Sequence, residues 1–303
     1  MDYQRLELDQ PLYGTVNVCR VGDTLVDTGH VSAASREAVA AALDGGTLDG
    51  IERVVLTHPH VDHVGGSQTL PELAALPHVV FEGVPPIVAE FREYLRRARA
   101  EMRERGAGVP GDRSAVEESY FPLSDYAEDD IDIARVVGDG DTVRLGETEC
   151  EVVHTPGHSK QHMALWDAAG GTMLSADLVS TNGHFMYGPL HADVGAYVDS
   201  LERLRTYDAD RLVPGHGPVM DDPTARIDDA LAKARESKAG IERAVAVADG
   251  PVTAAQLARD VFGAGDATVG FLTFVVCEYL EHLDEEGDLA VSYREDGVYA
   301  EPR

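Results

Sequence analysis

Apolar positions change their period several times along the 303 residues. Around 14–20, 22–27 and 52–57 they form short β-branched runs, which predict strands. Over 33–44 Ala, Val and Leu recur at helical spacing, which predicts a helix. The theme returns with strands predicted near 148–154, 162–167, 171–176 and 211–214, and a helix near 194–206. Between these halves, 84–137 reads as an inserted segment. It opens with Ile87, Phe91, Leu95 and Met102 on one helical face. The opposite face carries Arg92, Arg96, Arg97, Arg99, Arg103 and Arg105 among glutamates. Glu93 with Arg97 and Glu101 with Arg105 fit i,i+4 pairs, so one expectation is a solvated, self-paired face. Residues 106–112, with Pro110 and Gly111, predict a loop able to act as a lid. Further on, 223–248 reads as a long Ala-rich helix. Thr253 is placed to cap a helix over 254–262, a second apolar helix follows over 268–283, and 289–299 reads as two strands around Glu295-Asp296-Gly297. The chain is therefore mixed α/β. Its organisation is expected to be a unit over 1–222 carrying the helical insertion 84–137, a connecting helix over 223–249 and a small unit over 250–303.

Charge adds a constraint on environment. There are 54 acidic against 25 basic residues, a net charge of −29. Only Lys160, Lys233 and Lys238 are lysines. Carboxylate-rich, lysine-poor surfaces stay soluble where concentrated salt screens their repulsion, so a halophilic, archaeal source is expected. The excess is spread along the whole chain, which argues against a dedicated surface for a basic partner. Cys19, Cys150 and Cys277 are widely separated and form no Cys-x-x-Cys pair, so buried free thiols are expected. With no basic-then-apolar leader and no apolar stretch of membrane length, a cytoplasmic protein without membrane attachment is expected.

The chemistry is concentrated in Thr57-His58-Pro59-His60-Val61-Asp62-His63, directly after the apolar run 51–56. On an extended turn His58 and His60 point the same way and can share one cation, while Asp62 and His63 reach towards a second. Mixed imidazole and carboxylate donors suit zinc. Further donors stand in similar contexts: His158 in Thr155-Pro156-Gly157-His158, Asp177 in Leu174-Ser175-Ala176-Asp177, and His216 in Val213-Pro214-Gly215-His216. Each follows a short strand-like run and is expected on the loop at that strand's C-terminal end.

With these motifs in this order over about 1–220, the chain resembles the metallo-β-lactamase superfamily. The resemblance implies an αββα sandwich with ligands gathered at one edge. It makes His58, His60 and His158 the ligands of one metal, puts Asp62, His63 and His216 on the second, and has Asp177 bridging. Two Zn²⁺ ions are implied, with Mn or Fe as alternatives at the second site. Val26-Asp27-Thr28-Gly29 resembles the family's first motif, which makes Asp27 a hydrogen-bonding support for the ligand loop; the alternative is an Asx-type turn after a strand.

Two divalent ions a few ångströms apart lower the pKa of a bridging water, so hydroxide is available without a side-chain base. Asp62 is the catalytic candidate, as a ligand that also orients this nucleophile. The expected substrate is a small ester or thioester, because the histidine and aspartate set is that of glyoxalase-II-like thioesterases, although their basic residues for glutathione are not recognisable here. Two rival readings are a metal-dependent ribonuclease or phosphodiesterase and a non-catalytic binding module of the same fold.

Outside the ligands, His184 and Tyr187 in the segment 180–189 are candidates for contacting substrate, against a surface histidine and a core aromatic. Arg92 and Arg96, in the most basic stretch, are candidates for gripping an anionic part of it. His162 is either a support for a ligand or simply the first residue of a strand. The last unit resembles a winged-helix domain. Its residues 251–303 hold eleven Asp and Glu against Arg259, Arg294 and Arg303, and its second helix has no Lys or Arg. Nucleic acid is therefore disfavoured, and packing or homodimer formation is the expected role.

Overall fold

Strand β1 (Gln4–Gln10) pairs antiparallel with β2 (Gly14–Val21), which pairs in the same sense with β3 (Thr24–Val26). From β3 onward the sheet grows in parallel through β4 (Arg53–Leu56), β5 (His78–Phe81) and β6 (Ile133–Val137), giving six strands in the order β1 to β6. Parallel neighbours need long crossovers. Helix α1 (Ala33–Leu43) supplies the first, α2 (Val61–Thr69) and α3 (Pro71–Ala74) the second, and α4 (Pro85–Ala89) and α5 (Phe91–Arg105) lie in the third. The computed structural model describes residues 1–11, 14–107, 109, 123 and 131–303.

Strand β6 corrects the expected insertion. Residues 133–137 are hydrogen-bonded to β5 and belong to the first sheet, so the added segment ends before them. Most of the foreseen lid loop 106–112 lies outside the described residues. Strands β1, β5 and β6 were not foreseen from the apolar pattern. In β1 only Leu8 and Gln10 are buried, as befits an edge strand, and that leaves almost no apolar signal.

A second sheet, in the order β11-β10-β9-β8-β7, begins with the antiparallel meander β7 (Thr142–Leu145), β8 (Thr148–His154), β9 (Met163–Asp167) and β10 (Thr172–Ala176). Helix α6 (Val194–Leu204), capped by Asp193, then crosses to β11 (Arg211–Pro214), parallel to β10. The two-residue period of a strand sorts its side chains. Val152, Leu165 and Leu174 share one core with Val16, Val18 and Leu56 of the first sheet. Their neighbours Val153, Ala164 and Met173 face the other way into a second core with Tyr197 and Leu201 of α6.

That second core does not stop at residue 222. Helix α7 (Pro223–Ala246) starts on an Asp222 cap with Pro223 in its first turn. Then come β12 (Val252–Thr253), α8 (Ala254–Phe262), α9 (Val269–Glu286), β13 (Leu289–Arg294) and β14 (Gly297–Pro302), the strands forming a small sheet β12-β14-β13. Thr253 Oγ1 accepts from Gln256 N–H at 3.1 Å, the expected cap, and Gly263 and Gly287 end α8 and α9 in the left-handed conformation. Ile227 and Ile241 of α7, Leu257 of α8 and Val276 of α9 join Met173 and Leu212 in one continuous core. Helix α9 packs on α5, α6, α7 and α8. The three thiols are buried, which pushes each pKa up to about 12. Among the described residues no helix is long and apolar enough to cross a membrane.

Candidate metal centre

All seven expected ligands meet at one edge of the two sheets. His58 and His60 follow β4, Asp62 and His63 form the first turn of α2, and His158, Asp177 and His216 lie just beyond β8, β10 and β11. Four imidazoles converge on one carboxylate oxygen. Asp177 Oδ2 lies 3.9 Å from His58 Nε2, 3.3 Å from His63 Nε2, 3.4 Å from His158 Nε2 and 3.2 Å from His216 Nε2. Asp62 Oδ2 is 3.4 Å from His216 Nε2 and Asp62 Oδ1 is 4.0 Å from His63 Nε2. His60 presents Nδ1, 2.7 Å from His158 Nε2.

The outward nitrogens show how these rings are held. His63 Nδ1–H donates to Asp27 Oδ2 at 2.8 Å, and the same carboxylate accepts from Thr57 N–H and Thr57 Oγ1–H, both at 2.8 Å. His58 Nδ1–H can then donate to Thr57 Oγ1 at 3.0 Å. His158 Nδ1–H donates to the Met186 carbonyl at 2.9 Å and His216 Nδ1–H to the Thr15 carbonyl at 2.6 Å. Asp27 is therefore the support anticipated for the ligand loop, joining β3, β4 and α2. With Nδ1 committed in these four rings, Nε2 is the nitrogen turned towards the cluster. Buried His58 Nε2, His63 Nε2 and Asp177 Oδ1 have no hydrogen-bonding partner. Buried polar atoms rarely stay unsatisfied, and so many donor atoms facing one another fit a divalent cation. Among the described residues, three groups have ligand atoms mutually within 4.8 Å: His58, His60 and His158; His58, His63 and Asp177; and Asp62, His63 and His216.

Electrostatics follow from this crowding. Burial, then the neighbouring imidazoles, lowers the pKa of His58 and of His60. Burial also opposes charge on His63 and His216, but Asp177 with Asp27 outweighs it at His63, and Asp177 with Asp62 raises His216 to about 10. Burial would raise Asp177, yet His216 and His63 hold it well below the carboxylate range.

The backbone is shaped to allow the approach. A Cβ on Gly215 would sit 2.0 Å from Asp177 Oδ1, and one on Gly188 would sit 2.1 Å from the His158 carbonyl. His162 takes the supporting role of its two readings. Its Nδ1–H donates to Thr155 Oγ1 at 2.7 Å and its Nε2 accepts Asp177 N–H at 3.1 Å, which fixes the loop that carries Asp177.

Beside the ligands opens a cavity of about 390 Å³. Tyr187 and His184, the candidates for contacting substrate, both line it. Tyr187 is buried under Phe274, and the Arg105 guanidinium lies 5.7 Å from its ring centre. His184 is exposed, in a turn held by Asn182 and Ser180. Arg92 and Arg96 are a correction: α5 contributes Tyr94 and Met102 to the wall, and neither arginine is part of it. Arg96 instead pairs with Glu93 at 3.1 Å on the exposed face, so the face is self-paired there, but at i,i+3 through Arg96 and not through the expected Arg97. Arg105 departs from that expectation. It is buried against Glu101, Glu278 and Glu281, tying α5 to α9. The wall also contains Phe262, Phe271, Leu272 and Tyr279 from α8 and α9, which the apolar pattern assigns to a unit apart. One signal was available: from Val269 to Leu280 α9 is apolar nearly all round, as a helix buried on several sides must be.

The sequence profile of the metallo-beta-lactamase superfamily matches residues 22–216. The chain is 28% identical over 290 residues to the probable metallo-hydrolase YqjP of Bacillus subtilis, covering 90% of this chain and 87% of that protein. It is 27% identical over 207 residues to the beta-lactamase-like protein 2 homolog of Caenorhabditis elegans, covering 68% of this chain but only 56% of that relative's length. A Gallus gallus protein named acyl-coenzyme A thioesterase MBLAC2 is 28% identical over 174 residues, 54% of this chain and 55% of its own. Among solved structures, a metallo-beta-lactamase family protein from Thermus thermophilus superposes with a TM-score of 0.76 at 22% identity, covering 99% of this chain and 98% of that one.

Proposed function

The chain belongs to the metallo-β-lactamase superfamily, and from that premise we propose that it hydrolyses a small ester or thioester with the help of two divalent cations, zinc by the chemistry of the donors. The observation that carries this reading is the convergence of four imidazoles on Asp177 Oδ2. His58, His60 and His158 would hold one ion, Asp62, His63 and His216 the other, and Asp177 would be shared. When bound, such ions acidify a coordinated water and polarise the carbonyl oxygen under attack. Asp62, which lines the cavity beside His216, would accept a hydrogen bond from the attacking water and orient it. Tyr187 and the 184–189 segment form the wall against which the scissile group is positioned. Addition of water at the carbonyl carbon breaks the acyl–sulfur or acyl–oxygen bond and yields a carboxylate and a thiol or alcohol.

One observation favours an acyl substrate over a phosphodiester. Among the described lining residues Lys233 is the one Lys or Arg. A nucleic-acid strand needs several cations along its path. The name of the Gallus gallus relative supports the thioester choice. We also infer a winged-helix module from the order helix, strand, helix, helix, hairpin over 223–302. Its α9 has no Lys or Arg, which supports a packing role.

The test is an assay in molar salt of protein of measured metal content, against a thioester panel and bis-p-nitrophenyl phosphate. Thioester or ester cleavage at more than one bound ion per chain is expected, and diesterase activity without it overturns the reading. His58→Ala should lose at least about a hundredfold in activity, the low end for losing a metal-activated nucleophile.

A further inference from the structure

We propose that the acyl arm of the substrate is an uncharged apolar chain of medium length, and that helices α8 and α9 measure that length. This rests on the hydrolase reading above. One cavity is bounded both by the ligands His60, Asp62 and Asp177 and by Phe262, Phe271 and Leu272. An arm attached to a carbonyl at the ligands therefore has the C-terminal helices within the same cavity. Phe262, Phe271 and Leu272 are only half-buried, unlike Val276 or Leu280 in the same helix pair. All three line the cavity, where an apolar ligand would gain by packing against them.

Charge narrows the arm further. Lys233, the one Lys or Arg among the described lining residues, is already held by Asp229 at 2.9 Å and by the Asn182 carbonyl at 2.5 Å. Arg105, behind the Tyr187 ring, is engaged by Glu101 and Glu281 at 3.1 and 3.0 Å and by Glu278. A carboxylate or phosphate on the acyl arm would thus meet aromatic surface with no available cation among the described lining residues, and burying it unpaired is costly. The volume, about 390 Å³, lies near the lower end of the roughly 300–1,000 Å³ found for small-molecule sites, so the arm is bounded in length.

The experiment measures kcat/KM of the metal-loaded protein for N-acetylcysteamine thioesters from acetyl to dodecanoyl. A rise of about fourfold per added methylene is expected, the value of burying one such group, ending at hexanoyl to decanoyl. Leu272→Trp fills the space and should lower the octanoyl-to-acetyl ratio at least tenfold. Phe271→Ala enlarges it and should move the optimum to longer chains, so a folding failure of one variant leaves the other to decide. Calorimetric binding of 2-hexanone and 2-decanone to the loaded protein gives a readout independent of turnover. The longer ketone should bind at least tenfold tighter, and Leu272→Trp should abolish the difference. Acetyl thioester cleaved as fast as octanoyl, or an unchanged length profile in the folded variants, overturns the proposal and leaves the hydrolase reading standing. If no thioester or ester is cleaved, the hydrolase reading fails, and the ketone pair still decides whether the apolar arm has a site.

Discussion

His162 contributes no atom to the ligand cluster, yet it holds the backbone of Asp177 through a ring nitrogen that must stay unprotonated to accept. Burial lowers its pKa to about 3. A histidine depressed in the folded state stabilises the fold fully above its unfolded value of 6.5, and that stability is lost as pH falls from there towards the folded value. Stripped of metal, the protein should therefore lose stability in urea titrations between pH 6.5 and 4.5. His162→Gln, which keeps an acceptor, should reduce the slope by close to one proton; an unchanged slope would show that His162 titrates normally. The ligands themselves were legible because each stands in a short motif behind a strand, and motif and strand are both local. Asp27 was half legible: its position after β3 allowed either a turn or a support, and only the folded contact with Thr57 and His63 decides. His162 allowed two readings for the same reason, since a hydrogen bond to a distant main chain leaves no trace in spacing.

Helix α5 shows where periodicity misleads at the next scale. Its i,i+4 pair Glu101–Arg105 is present, but Arg105 also reaches Glu278 and Glu281, 173 and 176 residues away. A charge pattern reports only neighbours on its own helix, so a buried cluster looked like a solvated face. Burial pushes the Glu278 pKa up to about 8, against the pull of Arg105. Replacing Arg105 by Met leaves three glutamates around an apolar side chain, and breaking such a buried pair costs about 3–5 kcal/mol. Denaturant unfolding should register that loss, together with an exposed Tyr187. A change under about 1 kcal/mol would mean that water reaches Arg105. By contrast, α1, α6, α7, α8 and α9 fall within a few residues of their expected bounds, because their apolar spacing and their caps at Asp222 and Thr253 are local signals.

For the whole molecule, the two-sheet sandwich was legible through its motifs, and the buried strand β4, parallel to both neighbours, reads as part of a short apolar run. The joining of the last third to the cavity was not, since composition marked a boundary near residue 222 and the shared core crosses it. Charge acts at this scale too. With 54 acidic and 25 basic residues, repulsion opposes compaction until salt screens it over a Debye length of about 3 Å at 1 M. The thermal midpoint should rise steadily from low to molar potassium chloride, and a flat or falling curve would remove the halophilic interpretation. The continuous core has one more consequence. Every side chain that would hold a cation lies before residue 217, and the aromatic wall from α8 and α9 begins at Phe262. On the proposed function, bond breaking would be written in the earlier stretch of the gene, while the far part of the acyl wall, opposite Tyr94, Met102 and Tyr187, would be written in the later one. Recombination of the distal stretch between homologues would give lineages a way to diversify what they consume while inheriting the same reaction unchanged.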